Sequence, residues 1–112
     1  MKEVLILEDK SETRKVLAGL VKEVRSDAVI YEAADEKTAY DIAMKRTIDL
    51  FLVDIILHPQ QHDDVSGGEF AQNIRKVDKY LFTPILIITS MYDPKMCMYS
   101  SVHCYQFIEK PF

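Results

Sequence analysis

Five side chains suited to metal or phosphoryl chemistry follow strand-like runs: Glu8 and Asp9 after VLIL, Asp54 after LFLV, Thr89 after ILII, and Lys110 shortly after YQFI. Two ionised carboxylates about 4 Å apart repel by roughly 4 kcal/mol at an effective dielectric constant of about 20. Three gathered at one place therefore require a proton or a cation among them. The all-oxygen set Glu8, Asp9 and Asp54 suits Mg2+, which keeps several waters and accepts phosphate oxygens. Asp54, the acid in the apolar stretch LFLVDIIL, is the candidate nucleophile. A carboxylate can attack phosphorus to give an aspartyl phosphate once charge on the transferring oxygens is offset. The Thr89 hydroxyl would donate to one phosphoryl oxygen and the Lys110 ammonium would pair with another.

Those groups need rigid supports. Short apolar runs at Val4–Leu7, Ala28–Tyr31, Leu50–Val53 and Ile85–Ile88, with a weaker one at Tyr105–Ile108, have the pattern of strands buried on both faces. Between the first two, Val16, Leu17, Leu20, Val21 and Val24 make one apolar helical stripe, with Ser11 as a plausible cap. Ala39, Ile42 and Ala43, then Phe70, Ile74 and Val77, mark two further helices, and Asp93-Pro94 has the form of a helix start before MCMYSSV. Alternating strands and helices predict a doubly wound α/β domain, a five-stranded parallel sheet with helices on both faces. In the order 2-1-3-4-5, strands one and three are neighbours and their carboxyl ends bring the acids to one crevice. The second strand, ending at Glu32 to Ala34, contributes nothing obvious to it.

The chain has 112 residues, enough for one domain with a core and too few for two. At 48% hydrophobic and 29% charged residues it lies well away from the composition of disordered chains. A net charge of −4 argues against direct nucleic-acid binding. The four apolar residues before the first acid pair are too few for a signal-peptide core, and no run approaches a membrane span, so a cytoplasmic protein with no membrane contact is expected. Cys97 and Cys104 lack metal-ligand or redox spacing and read as packing thiols.

The segments ILED, LFLVD, SGGEF, ILIITS and FIEKPF occur in that order along nearly the whole chain. In this the sequence resembles the response regulator receiver domain of two-component signalling, the combined pattern being far more specific than any one piece. The resemblance implies a flavodoxin-like receiver fold over residues 1–112. It also implies that Asp54 accepts a phosphoryl group from a phosphohistidine on a sensor histidine kinase or phosphotransfer protein, and that the domain catalyses this transfer and its reversal by hydrolysis without turning over external substrates. Mg2+ would be held by Asp9 and Asp54, by the Ile56 carbonyl, and through water by Glu8, which stands where aspartate is commoner. Lys110 and Pro111 match the family's Lys-Pro pair. Thr89 and Phe107 match a switch pair that alters the surface of helix four and strand five; Phe107 lacks a tyrosine hydroxyl, so packing alone must separate the two states. The chain ends at Phe112, where the family continues into a fifth helix, so a domain cut before that helix and any output domain is expected, with homodimerisation left open.

Gly67 follows Asp54 by thirteen positions, whereas typical receivers use about eight, so the loop 58–66 carries an insertion of roughly five residues. His58, His62, Asp63 and Asp64 in it could imitate a zinc or nickel site, but no second ligand cluster fixes them. Ile56 and Met91 are apolar where some fast-hydrolysing receivers are polar, and the resemblance implies slow loss of the phosphoryl group. Ile56 also stands where a phosphohydrolase with an aspartyl intermediate needs a second carboxylate, and EDKSE places acids where a flavin phosphate loop would need Ser, Thr and Gly. The remaining alternative is a receiver-like interaction module that works without phosphorylation.

Overall fold

The computed structural model describes residues 2–54, 66–89 and 106–109, with the backbone alone described at 66–69, 89 and 106–109. Five strands, β1 (Glu3–Leu7), β2 (Val29–Ala33), β3 (Leu50–Asp54), β4 (Ile85–Thr89) and β5 (Gln106–Glu109), form one sheet in the order β2-β1-β3-β4-β5. Every pairing is parallel. The order is the one expected from the sequence, and it reverses direction at β1, between β2 and β3.

Strand side chains alternate between faces, and the two cores follow that alternation. Leu5, Leu7, Phe51, Val53, Ile85 and Ile87 pack with α2 (Glu36–Lys45) and α3 (Ser66–Arg75) on one face. Val4, Ile6, Leu52 and Ile88 face α1 (Ser11–Val24) on the other. Full burial of each such side chain contributes about 1.5–3 kcal/mol, so the central strands are the main source of apolar stabilisation. Ala39 and Ala43 of α2, both fully buried, let that helix approach the sheet closely. Asp35 caps α2, its carboxylate accepting the Thr38 N–H at 2.8 Å.

Local details differ from the sequence expectations. The α1 cap is Lys10, whose side chain makes no capping bond, and Ser11 is already helical. Of the five-residue stripe only Leu17 is buried; Val21 packs at the edge, and Val16, Leu20 and Val24 are 53%, 46% and 89% exposed. The stripe is broader than the strip of sheet that α1 covers, and an apolar hollow of about 810 Å³ lies between Leu20, Val24, Leu50 and Leu86. The second strand begins at Val29, one residue after the start of its apolar run, and ends at Ala33, within the expected Glu32 to Ala34. Asp93, Pro94 and the helix expected after them lie outside the described residues.

Tyr80 and Arg75 lock the joints between elements. The Tyr80 ring is fully buried and meets Phe51 edge-on at 5.0 Å. Its hydroxyl lies 2.6 Å from the Ala43 carbonyl and 2.8 Å from that of Arg46, and accepts the Ile48 N–H at 3.2 Å. This ties the end of α2 to the start of β3. The Arg75 guanidinium donates to the carbonyls of Tyr80, Leu81 and Thr83 at 2.8–3.0 Å, fixing the approach to β4.

Candidate functional site

Leu7 of β1 is level with Val53 of β3, so the next residue on each chain, Glu8 and Asp54, emerges at the same height. By alternation both lie on the face of Ile6 and Leu52, one step beyond the apolar row. The ladder continues past β1, where the Glu8 N–H donates to the Ala33 carbonyl at 3.0 Å. Asp9 follows in the turn into α1. One carboxylate oxygen from each of Glu8, Asp9 and Asp54 lies within 4.8 Å of the other two. Glu8 and Asp54 are only 1% and 4% exposed, while Asp9 is half-buried and opens the cluster to solvent.

These donors fit a hard divalent cation. All are oxygens, and among the described residues no nitrogen or sulfur joins them to favour zinc or copper. Two oxygens on opposite sides of one Mg2+ lie about 4.2 Å apart, twice the usual 2.0–2.1 Å bond, so the cluster is close to the required size.

On β4, Asp54 is level with Ile88, which puts Thr89 one position further toward the same end of the sheet. Thr89 in turn pairs with Glu109 of β5, the residue before Lys110. The backbone thus carries Thr89 to the rim that bears the acids. Ile56, Met91, Lys110, Pro111 and the loop residues His58, His62, Asp63 and Asp64 lie outside the described residues, as do Cys97 and Cys104. Phe107 is described in backbone only, in β5 opposite Ile87.

Among the described residues the second strand adds no carboxylate to the cluster, but Glu32 joins it to α1 beside the Glu8–Asp9 turn. Arg14, on the first turn of α1, reaches back along the helix, the direction in which helical side chains lean. Its Nη1 donates to the Glu8 carbonyl at 2.9 Å and lies 3.5 Å from that of Asp9, and its Nε donates to Glu32 Oε1 of β2 at 3.1 Å. A cation near a helix N-terminus opposes the helix dipole, which is the sequence signal that could have singled Arg14 out.

Two groups with shifted titration, Tyr31 and Arg46, lie away from the cluster, near the start of β1. There the Tyr31 hydroxyl donates to Glu3 Oε1 at 2.7 Å, and Arg46 Nε reaches the same oxygen at 3.1 Å. The hydrogen bond to Glu3 raises the Tyr31 pKa, assisted by burial and partly opposed by Arg46. The same carboxylate holds Arg46 more firmly protonated.

No helix among the described residues is long and apolar enough to cross a membrane. Residues 4–112 match the family model described as the response regulator receiver domain. Over its 112 residues the chain is 27% identical to the sensory transduction protein LytT of Bacillus subtilis (strain 168), spanning all of this chain and 43% of that protein's length. Its backbone resembles that of the Vibrio cholerae chemotaxis protein CheY4, with a TM-score of 0.83 at 26% identity, covering 100% of this chain and 88% of the other. It also resembles the Mn(2+)-bound form of response regulator Rcp1, with a TM-score of 0.81 at 17% identity over 99% of this chain and 82% of that one, a likeness of fold alone.

Proposed function

Because the chain belongs to the response regulator receiver domain family, we propose that residues 1–112 form a phosphoacceptor domain in which Asp54 takes a phosphoryl group from a phosphohistidine of a sensor histidine kinase or phosphotransfer protein in the cytoplasm. The convergence of Glu8, Asp9 and Asp54 within 4.8 Å at the reversal point of the sheet carries this reading.

Glu8, Asp9 and Asp54, with the Ile56 carbonyl, would hold Mg2+. When bound, the ion would offset charge on the phosphoryl oxygens and relieve the repulsion among the acids. An Asp54 oxygen attacks phosphorus in line as the bond from phosphorus to the histidine nitrogen breaks; the electron pair returns to the imidazole, and an aspartyl phosphate forms. The attack needs a carboxylate held to a fraction of an ångström, and Asp54 has the support, the last residue of a central, buried strand. The Thr89 hydroxyl and the Lys110 ammonium would bind the transferred group, and movement of Thr89 coupled to Phe107 would change the surface around β5.

The test is incubation of the chain with Mg2+ and a small acyl phosphate, read by intact mass. One added phosphoryl group on the unaltered chain, absent from Asp54→Ala and absent with EDTA, is expected. No adduct, or an equal one on Asp54→Ala, would leave an interaction module that works without phosphorylation.

A further inference from the structure

Glu8 and Asp9 follow the last residue of β1, Leu7, in the turn into α1, and of the two only the Glu8 N–H still continues the sheet ladder. The interactions that hold this turn are therefore part of what shapes the metal cluster. Two are visible in the backbone. The Glu8 N–H is taken by Ala33, and the Glu8 carbonyl is taken by Arg14, which also approaches the Asp9 carbonyl. Because a peptide unit is planar, holding the carbonyls of residues 8 and 9 sets the planes on either side of the Asp9 Cα and the direction in which its side chain leaves. Glu32 completes the arrangement by fixing the guanidinium from β2, with Arg14 16% and Glu32 32% exposed in their side chains.

We propose that Arg14 is a positioning residue for the acidic cluster: anchored by Glu32, it holds the Glu8–Asp9 turn in the geometry that binds a divalent cation, and so sets the affinity of the site. The inference rests on the reading of the cluster as a Mg2+ site. Arg14 sits against the helix dipole and beside the Glu8–Asp9 turn, so its charge alone would weaken cation binding there. Holding the turn would strengthen it. The two effects have opposite signs, and the substitution that removes both reveals which one dominates. The guanidinium matters as a fork: it bonds the Glu8 carbonyl and the Glu32 carboxylate at once while approaching the Asp9 carbonyl, which a lysine ammonium, a compact point charge, reproduces poorly.

Titration of the 112-residue chain with Mg2+ by calorimetry, repeated with Mn2+ by electron paramagnetic resonance, measures this without any phosphoryl transfer. Arg14→Ala is expected to weaken binding about tenfold, in the range seen when groups that orient metal ligands are removed. Arg14→Lys, which keeps the charge, is expected to weaken it several-fold. Glu32→Gln is expected to weaken it too, and the double variant Arg14→Ala/Glu32→Gln to be no weaker than Arg14→Ala, since Glu32 acts through Arg14. Amide exchange at Asp9 and Lys10 should quicken in each variant. Should Arg14→Ala not fold, Arg14→Lys and Glu32→Gln carry the test. Equal or tighter binding by either Arg14 variant overturns the inference, as does an undiminished effect of Glu32→Gln in the double variant. If the unaltered chain binds neither ion and takes up no phosphoryl group, the reading of the site itself fails, a result distinct from binding that Arg14 does not influence.

Discussion

Replacing Asp54 by asparagine should make the metal-free protein more stable while removing its response to Mg2+. At the 4.8 Å limit of their separation, each pair of ionised carboxylates repels by about 3.5 kcal/mol at an effective dielectric constant of about 20. Glu8 and Asp54 are both nearly excluded from solvent and experience most of this, whereas the more open Asp9 is better screened. Glu8 and Asp54 each make a further polar interaction that returns part of the cost. Asparagine keeps the shape and removes the charge, so the net gain is about 1–2 kcal/mol, or an unfolding midpoint raised by about 5–10 °C. Thermal unfolding followed by circular dichroism, in EDTA and then in Mg2+, measures both halves. The unaltered chain should gain stability on adding Mg2+ by mass action, and Asp54→Asn should gain far less. A midpoint in EDTA that is unchanged or lowered by the substitution would refute the claim that repulsion among these acids is stored in the fold.

Tyr80→Phe should cost about 2–3 kcal/mol, because it leaves the buried Ile48 N–H and the Ala43 carbonyl without their hydroxyl partner; urea unfolding would show it as a lowered midpoint with an unchanged slope. Arg75→Leu should be at least as damaging, since three carbonyls before β4 lose one common donor, and the same assay reads it. The Tyr31 phenol should ionise above its ordinary value of 10.0, and Glu3→Gln should bring it down, as seen by ultraviolet difference titration. Because the folded value is the raised one, the Tyr31 contribution to stability is fully present below about pH 10 and is lost as pH rises through the folded value. A phenol that titrates identically in Glu3→Gln would remove the hydrogen bond as its cause.

The sheet and its order were legible because each strand is buried on both faces and so reads as a continuous apolar run, as in LFLV and ILII. Asp54 stood out for the same reason, a charge where burial makes charge expensive. The α1 helix was legible from its apolar stripe, but helical spacing does not tell which of those residues the sheet covers, and Val16, Leu20 and Val24 are left exposed. Nothing local in the sequence marks Tyr80, since neither Leu81 nor Phe82 beside it is buried and its short turn has no periodicity.

What the amino-acid sequence determined by itself was the alternation of elements, the parallel sheet, and the identity of the acids at the carboxyl ends of the strands, because these depend on local pattern and on the chirality of crossover connections. What only the tertiary structure decided was the company those acids keep. The register that levels Glu8 with Asp54, and the reach of Arg14 from a helix to a neighbouring strand, join residues 46 and 18 positions apart in the chain. Contacts of that separation are set by packing the whole sheet against α1, and no local pattern encodes them.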